Sequence, residues 1–294
     1  MLTCNLIGGL GNQLFQIFTT ISYAIKYKHM FKFINSKTLG AGETTKRNTY
    51  WSSFLFRLSG FLMEKYPHFD IIYKEDKFSF TEIPRGYLSA THNPKTNVPT
   101  NIMLHGYFQS YKYFHENFHT ICRILNIAEL RLNVLEEVIK KYHKNEFLEH
   151  CVSMHFRLGD YKKLPDYHPV MPLEYYKNSL QYIIDKLDYT PNILYFCEDD
   201  DVEDVDNTIQ SLKKVFPFIE FERATNELED WQQMLLMSCC NHNIIANSSF
   251  SWWGAYLNEN TGKIVCYPSM WFGKKNENVD TTDLFPPGWS KIMH

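Results

Sequence analysis

A short stretch near the middle of the chain combines residue types that suit group-transfer chemistry. The apolar run 151–156 predicts a strand, and it brings together His155, Arg157 and Asp160. Ligands of open α/β sheets bind outside the carboxyl ends of the strands, where these side chains would lie. A guanidinium can fork onto a diphosphate leaving group, while Asp160 or His155 could accept the proton of an attacking hydroxyl. The alternative is a surface ion pair between Arg157 and Asp160, with His155 packed in the interior.

A glycine-rich turn near the start of the chain could approach a ligand closely. Residues 2–7 predict a strand and residues 12–27 a helix, with Gly8, Gly9 and Gly11 between them. Glycines let the backbone turn sharply, and the helix N-terminus offers N–H groups to phosphate or sugar oxygens. The turn matches neither the dinucleotide-binding fingerprint nor a P-loop. A strand–helix connection without a ligand is therefore the alternative.

A serine-containing turn follows a third apolar run. Residues 243–246 predict a strand and residues 250–258 a helix. The residues at this turn are Asn247, Ser248, Ser249 and Phe250. The serine hydroxyls could cap the helix or bind phosphate, and the Phe ring could lie against a nucleobase or a sugar. Trp252 and Trp253 fall within the helix and are expected to pack, and an ordinary capped helix is the alternative for the serines.

The order of the predicted elements indicates an α/β fold with two domains. From residue 151 onward, strands and helices alternate with short connections, which is typical of a parallel, doubly wound sheet. The first half of the chain is less regular, especially between residues 36 and 100. We therefore expect an N-terminal α/β domain over 1–148 and a C-terminal Rossmann-like domain over 149–294.

Composition excludes several classes of function. The net charge of −3 and the lack of a basic run disfavour a nucleic-acid partner. The seven cysteines lack a CxxC pair and metal-ligand spacing, so a cytoplasmic location without a disulfide framework is expected. No signal peptide or transmembrane segment is predicted, because no apolar run is long enough to cross a bilayer. A peripheral membrane contact stays open.

Four segments of the chain together resemble one enzyme family. They are GGLGNQLFQ at 8–16, GYFQSYKYF at 106–114, HFRLGDY at 155–161 and HNIIANSSFSWWGAYL at 242–257. In sequence, order and spacing they are similar to the α-1,2-fucosyltransferase family of glycosyltransferases. The likeness covers nearly the whole chain and is weakest between about residues 35 and 100.

The resemblance implies a GT-B architecture, in which two Rossmann-like domains face each other across a cleft. The C-terminal domain would bind GDP-β-L-fucose, and the N-terminal domain would shape the acceptor site. Fucose would pass directly, with inversion, to the 2-OH of a galactose-type acceptor, without a metal or another cofactor. Arg157 would neutralise the departing diphosphate, with Asp160 or His155 as the base. The residues expected to bind the donor are Gly9, Gly11, Asn12, Gln13, Asp230, Gln233, Asn247, Ser248, Ser249 and Phe250.

One position departs from the family pattern. Members often carry an acidic residue that can read the guanine edge, and the matching position here is Gln233. An amide cannot accept two hydrogen bonds side by side as a carboxylate does. Asp230 lies one helical turn earlier on nearly the same face, so it is the candidate replacement.

Two other functions compete with this interpretation. Residues 198–201 contain an Asp-x-Asp pattern that could hold a divalent cation in a metal-dependent glycosyltransferase of another donor specificity. The same acids suit a helix start, where the macrodipole favours negative charge. A non-catalytic sugar- or nucleotide-binding module on the same scaffold is the second competitor.

Overall fold

The computed structural model describes residues 1–40, 46–89, 100–142 and 145–294. Contacts within the chain divide it into two compact units. Unit 1 consists of residues 1–128 and 280–286, and unit 2 of residues 129–279 and 287–294. Both units contain parallel strands connected through helices, so the predicted α/β class is confirmed.

Unit 1 is built on a three-stranded parallel sheet with the order β1–β7–β6. Its strands are β1 (Leu2–Cys4), β2 (Phe33–Ile34), β3 (Thr38–Leu39), β4 (Arg47–Asn48), β5 (Leu62–Met63), β6 (Ile71–Lys74) and β7 (Ile102–His105). Its helices are α1 (Leu10–Tyr27), α2 (Arg85–Leu88) and α3 (Phe118–Leu125). Two further strand pairs, β2 with β5 and β3 with β4, lie outside the main sheet.

The glycine turn before α1 has a conformation that favours glycine. Gly8 has a φ of +83°, and a Cβ on it would lie 2.5 Å from Nδ2 of Asn12. Both facts exclude an ordinary side chain without local rearrangement. The helix ends where Lys28 adopts the left-handed conformation that commonly terminates helices. Nearly all of α1 up to Ala24 is buried, so the sheet and this helix form the core of unit 1.

Unit 2 contains a six-stranded, all-parallel sheet with the order β10–β9–β8–β11–β12–β13. Its strands are β8 (Cys151–His155), β9 (Asn192–Phe196), β10 (Phe221–Arg223), β11 (His242–Ile244), β12 (Val265–Pro268) and β13 (Ser290–Ile292). The helices from this part of the chain are α4 (Ile127–Tyr142), α5 (Asn145–Leu148), α6 (Leu173–Ile184), α7 (Val202–Val215), α8 (Asp230–Cys239) and α9 (Ser249–Tyr256).

The strand order of unit 2 is that of a Rossmann sheet. Counted from β8, the order is 3-2-1-4-5-6, and the winding direction reverses between β8 and β11. Ligands of such sheets bind in the crevice at this reversal point, outside the carboxyl ends of the strands. A ligand site is therefore expected among the residues that follow β8 and β11.

Helices α8 and α9 approach each other closely beside this sheet. A Cβ on Gly254 would lie 2.8 Å from Cβ of Met237, so only glycine fits between the two helices. A buried polar network supports them. Asn243 donates to Ser153 Oγ at 2.7 Å and to the Met237 carbonyl at 2.9 Å, which ties β11 to β8 and to α8.

The predicted domain boundary near residue 148 differs from the division that the contacts give, between Ala128 and Glu129. The reason is that α4 and α5 are bonded to unit 2. Arg131 on α4 pairs with Glu259 at 2.7 Å, and the Asn192 amide donates to the Phe147 carbonyl of α5 at 3.1 Å. Residues 280–286 return to unit 1, where Ser110 Oγ donates to a carbonyl of that segment at 2.6 Å. No helix among the described residues has both the length and the apolar content to cross a membrane.

Candidate active site

The ends of β8 and β11, the two strands at the reversal point, bring the His-Arg-Asp segment and the serine turn together. These strands are direct neighbours, with Met154 paired to Ile244. Beyond them, the Tyr161 hydroxyl donates to the Asn247 carbonyl at 3.1 Å. The rings of His155 and Phe250 lie 5.6 Å apart. Two of the three segments that the sequence singled out therefore form one site at the carboxyl edge of the sheet.

Arg157 is held between two carboxylates. Its Nη2 donates to Asp160 Oδ1 at 2.5 Å, which is the ion pair that the sequence offered as an alternative, and its Nη1 donates to Glu198 Oε1. The guanidinium also lies over the Tyr161 ring, 5.2 Å from its centre. Burial alone would lower the pKa of Arg157, but the charges of Glu198 and Asp160 outweigh burial and raise it. Arg157 is thus a permanent cation at the reversal point.

The turn that carries Asp160 is fixed by a buried carboxylate. Asp201 accepts from the backbone N–H of Gly159 at 2.7 Å and from Nζ of Lys162 at 2.8 Å. Gly159 has a φ of +35°, and a Cβ there would lie 2.8 Å from Oε2 of Glu198. The loop after β9 therefore sets the shape of the loop after β8.

The acidic segment 198–201, which carries the Asp-x-Asp pattern, forms ion pairs within the chain. Glu198 bonds Arg157, Asp199 bonds Arg223, and Asp201 bonds Lys162. Among the described residues, no three or more His, Cys, Asp or Glu side chains are arranged to hold a metal ion. These acids shape the site, a role that the sequence interpretation missed. The signal was present, since β9 follows β8 through a parallel crossover and its end must lie beside that of β8.

His155 is buried at the end of β8. Burial, together with a smaller effect of the nearby charge of Arg157, lowers the pKa of its imidazole to about 3. The ring is therefore neutral at physiological pH. Its Nδ1 is buried and has no hydrogen-bond partner in the described structure. His155 accordingly lies in the interior, as the packing alternative expected, while its ring contacts Phe250 at the edge of the site.

The serine turn is a capped helix start. Ser248 is the N-cap of α9, and its Oγ accepts from the Phe250 N–H at 3.3 Å. The Asn247 amide donates to the carbonyls of Pro169 at 3.0 Å and Trp271 at 3.1 Å, which positions two further loops. Ser249 and Phe250 are partly exposed. The positive end of the α9 dipole therefore lies at the carboxyl edge of the sheet, close to His155.

Trp252 and Trp253 are fully buried inside α9, so the predicted packing role is confirmed. Their rings lie 5.2 Å apart. The Trp252 ring also stacks on Tyr256 and contacts Trp289. Neither indole is available to a ligand.

The two candidate guanine-reading residues lie in the first turn of α8, which follows β10 and so begins at the same edge of the sheet. Asp230 is exposed and its Oδ1 accepts from the Trp231 N–H at 2.7 Å. The Gln233 amide donates to the Leu228 carbonyl at 3.2 Å. Glu229 and Gln232 form a reciprocal capping box that fixes the start of the helix.

The glycine segment lies in unit 1, where its side chains hold the turn together. Gln13 is fully buried and donates to the carbonyls of Gly8 at 3.1 Å and Asn48 at 2.8 Å. Asn12 is partly exposed and accepts from the Gln109 amide at 2.7 Å. Gln109 belongs to the GYFQ segment, so two of the quoted segments meet here. Gly9 is partly exposed, whereas Gly11 is buried.

The Rossmann sheet, with a guanidinium and a capped helix start at its reversal point, defines a doubly wound α/β protein. The chain belongs to glycosyl transferase family 11, whose family model matches residues 1–293. The resemblance drawn from the four segments is thereby confirmed.

Two curated relatives from Escherichia coli are similar to the chain. The O-antigen biosynthesis glycosyltransferase WbnK is 32% identical over 197 residues, which cover 65% of this chain and 62% of WbnK. This match thus spans less than two thirds of that relative. An α-1,2-colitosyltransferase is 28% identical over 308 residues, which cover 99% of each chain.

Solved structures give partial matches. A glycosyl transferase of family 9 from Veillonella parvula is 15% identical, with a TM-score of 0.35, and the match covers 56% of this chain and 40% of that one. The ADP-heptose LPS heptosyltransferase II of E. coli is 16% identical, with a TM-score of 0.33, and covers 52% and 42%.

Proposed function

We propose that this glycosyltransferase moves L-fucose from GDP-β-L-fucose to the 2-OH of a galactose-type acceptor, with inversion and without a metal. The observation that carries the proposal is the position of Arg157 in a family 11 chain. It follows β8 at the reversal point of a Rossmann sheet, where the neighbouring strand β11 leads into α9. The relative named as an α-1,2-colitosyltransferase, aligned over 99% of the chain, supports transfer to a 2-OH.

Arg157 would act on the leaving group. As the bond to the sugar breaks, negative charge grows on the diphosphate. A fixed guanidinium therefore stabilises the transition state more than it stabilises the bound substrate. One such preorganised interaction contributes about 3–4 kcal/mol to the barrier. The N–H groups and serine hydroxyls at the start of α9 would bind the remaining phosphate oxygens.

Asp160 is the better candidate for the base. A base has to reach the acceptor hydroxyl, and the Asp160 side chain is 47% exposed, whereas His155 is buried. An imidazole whose pKa is lowered to about 3 is also a weak proton acceptor near neutral pH. Asp160 would take the proton late, when the hydroxyl has become acidic through attack on an oxocarbenium-like sugar.

The remaining donor contacts stay predictions. Asp230, with Gln233 one turn further on, is proposed to read the guanine edge from the start of α8. For Gly9, Gly11, Asn12 and Gln13 a part in donor binding was predicted from the sequence, and the burial of Gln13 favours a positioning role for it. The acceptor glycan and a cytoplasmic location also stay predictions.

Transfer of colitose is the second candidate, favoured by the name of the relative that aligns over the whole chain. Colitose lacks the hydroxyl that fucose carries at C3, and a site built to bond a hydroxyl rejects the deoxy analogue strongly. The deciding experiment offers GDP-fucose and GDP-colitose to the whole chain with a panel of galactosides, lactose included. Linkage analysis of the product follows.

Each outcome of that experiment separates two functions. A 1,2-linked fucoside formed equally well with EDTA would support the proposal. A product from GDP-colitose but not from GDP-fucose would show that colitose is the sugar transferred. Loss of activity in EDTA that Mg²⁺ or Mn²⁺ restores would favour the metal-dependent alternative. Binding of GDP without turnover of either donor would favour a non-catalytic binding module.

A further inference from the structure

The guanidinium of Arg157 already has an anionic partner at each of the two terminal nitrogens that a diphosphate would bind. Asp160 and Glu198 each occupy one of its terminal nitrogens, and the Arg157 side chain is only 19% exposed. A diphosphate binds the same fork of N–H donors. Donor binding by Arg157, which rests on the proposed function, would therefore bring the diphosphate into competition with these carboxylates for the two terminal nitrogens.

The charges around Arg157 make this exchange a competition. The next cation on the turn, Lys162, is bonded to Asp201 and Asp204. Lys162 is thus paired with other carboxylates, and Arg157 is the cation that balances Asp160 and Glu198 before a ligand binds. A diphosphate adds further negative charge, and the like charges within a few ångströms repel one another.

Glu198 is the carboxylate that can leave at the lower cost. Asp160 lies three residues from Arg157 on a turn that buried Asp201 anchors through the Gly159 N–H, at 2.7 Å. Glu198 comes from the separate loop after β9, and its side chain is 54% exposed. It also has one more methylene and more rotamer freedom than an aspartate, so it can rotate into water without moving the backbone.

We propose that Glu198 competes with the donor diphosphate for Arg157 and so sets the affinity of the site for GDP and GDP-sugars. With the site empty, Glu198 occupies Nη1 of Arg157 and keeps the guanidinium in its binding position. When the donor binds, its phosphate oxygens take that place and Glu198 turns outward. Removing the charge of Glu198 should therefore strengthen the binding of GDP, although it removes an ion pair from the protein.

The test measures GDP binding to the whole chain by isothermal titration calorimetry, comparing wild type, Glu198→Gln and Asp199→Asn. The Asp199→Asn variant is a matched control, because it removes the same charge one residue away but its ion pair is with Arg223. We expect Glu198→Gln to lower the GDP dissociation constant about three- to fivefold, the range set by partly exposed ion pairs. Asp199→Asn should change it less than about 1.5-fold.

Two results would overturn the proposal. Weaker GDP binding by Glu198→Gln, with an unchanged melting temperature, would make Glu198 a lasting positioning partner of Arg157. A change in the GDP dissociation constant equal to that of Asp199→Asn would show that Glu198 acts only through the overall charge of the site. The variant Glu198→Ala should tighten binding as well, which guards against new hydrogen bonds made by the glutamine amide.

Arg157→Ala separates this proposal from the proposed function. If Arg157→Ala binds GDP as tightly as the wild type, the role of Arg157 as a diphosphate ligand fails. If it binds GDP more weakly but Glu198→Gln gains nothing, only the competition fails. In an Arg157→Ala background, the gain from Glu198→Gln should fall to that of Asp199→Asn.

Discussion

The carboxylate of Asp201 accepts a hydrogen bond from the backbone N–H of Gly159 at 2.7 Å. This contact joins the loop after β9 to the loop after β8, on which Arg157 and Asp160 lie. Asp201 is almost completely buried, and its second oxygen bonds Lys162 at 2.8 Å. A residue outside the recognised segments therefore fixes the turn that carries the proposed catalytic groups.

Replacing Asp201 should damage both stability and catalysis. Asp201→Asn removes the charge and leaves one accepting oxygen for two donors, the Gly159 N–H and Lys162 Nζ, which costs about 1–3 kcal/mol. The freed turn should lower kcat more than it raises KM for the donor. Urea unfolding and steady-state kinetics measure the two effects.

Asp204→Asn is the matched control for that experiment. Asp204 also bonds Lys162, but its side chain is 58% exposed, so the loss should stay below about 1 kcal/mol. Equal effects of the two variants on kcat would contradict the positioning role of the Gly159–Asp201 bond.

Gly254 should not tolerate a methyl group. The Cβ of alanine would lie 2.8 Å from Cβ of Met237, so α8 and α9 would have to move apart. Gly254→Ala should lower the free energy of unfolding by about 1–3 kcal/mol, the usual cost of overpacking. Gly60→Ala serves as the control, because a Cβ there meets no atom within 4 Å. Urea unfolding measures the midpoint of each variant. Equal midpoints for Gly254→Ala and Gly60→Ala would contradict a tight contact between α8 and α9.

The neutral state of buried His155 should appear in the pH dependence of stability. Burial lowers its folded pKa to about 3, whereas the unfolded chain has an ordinary histidine pKa near 6.5. Between these values the unfolded chain binds a proton that the folded protein does not, so stability falls as pH drops from about 6.5 toward 3. Compared with His155→Gln, the wild type should lose up to about 1.4 kcal/mol more per pH unit. Urea unfolding at pH 5 and pH 7 measures this difference. An equal loss of stability in the wild type and in His155→Gln would contradict a buried neutral imidazole.

Asp160→Asn distinguishes a base from a structural partner of Arg157. The amide keeps the size of the side chain but accepts no proton, so kcat should fall at least about tenfold, whereas GDP binding stays within about threefold. Equal losses in kcat and in GDP affinity would instead indicate that Asp160 acts through its ion pair with Arg157.

Local sequence patterns predicted the Rossmann sheet of unit 2 because its strands are short apolar runs separated by helices. The same patterns predicted a serine cap at Ser248 or Ser249, of which the structure has Ser248, and the packing of Trp252 and Trp253, since cap chemistry and helical position are local properties. The less regular first half of the chain includes residues 50–61. That segment forms turns and a 3₁₀ helix over Phe56–Phe61, and its serines and Gly60 are weak helix formers.

The partners of Arg157 were predicted only in part. Asp160 is three residues away, so its pairing follows from local geometry, whereas Glu198 depends on the sheet placing β9 beside β8. The division of the chain after residue 128 depends on contacts such as the ion pair of Arg131 with Glu259, which are more than a hundred residues apart in the sequence. Contacts of this kind are set by tertiary packing, which local periodicity does not encode.

The most direct test of the proposed function is the steady-state rate of fucose transfer from GDP-fucose to a galactoside by Arg157→Ala. If the guanidinium stabilises the departing diphosphate, kcat/KM should fall by at least about a hundredfold while the melting temperature stays near that of the wild type. A variant that retains more than about a tenth of the wild-type kcat/KM, a loss under ~1.4 kcal/mol, would contradict the leaving-group role.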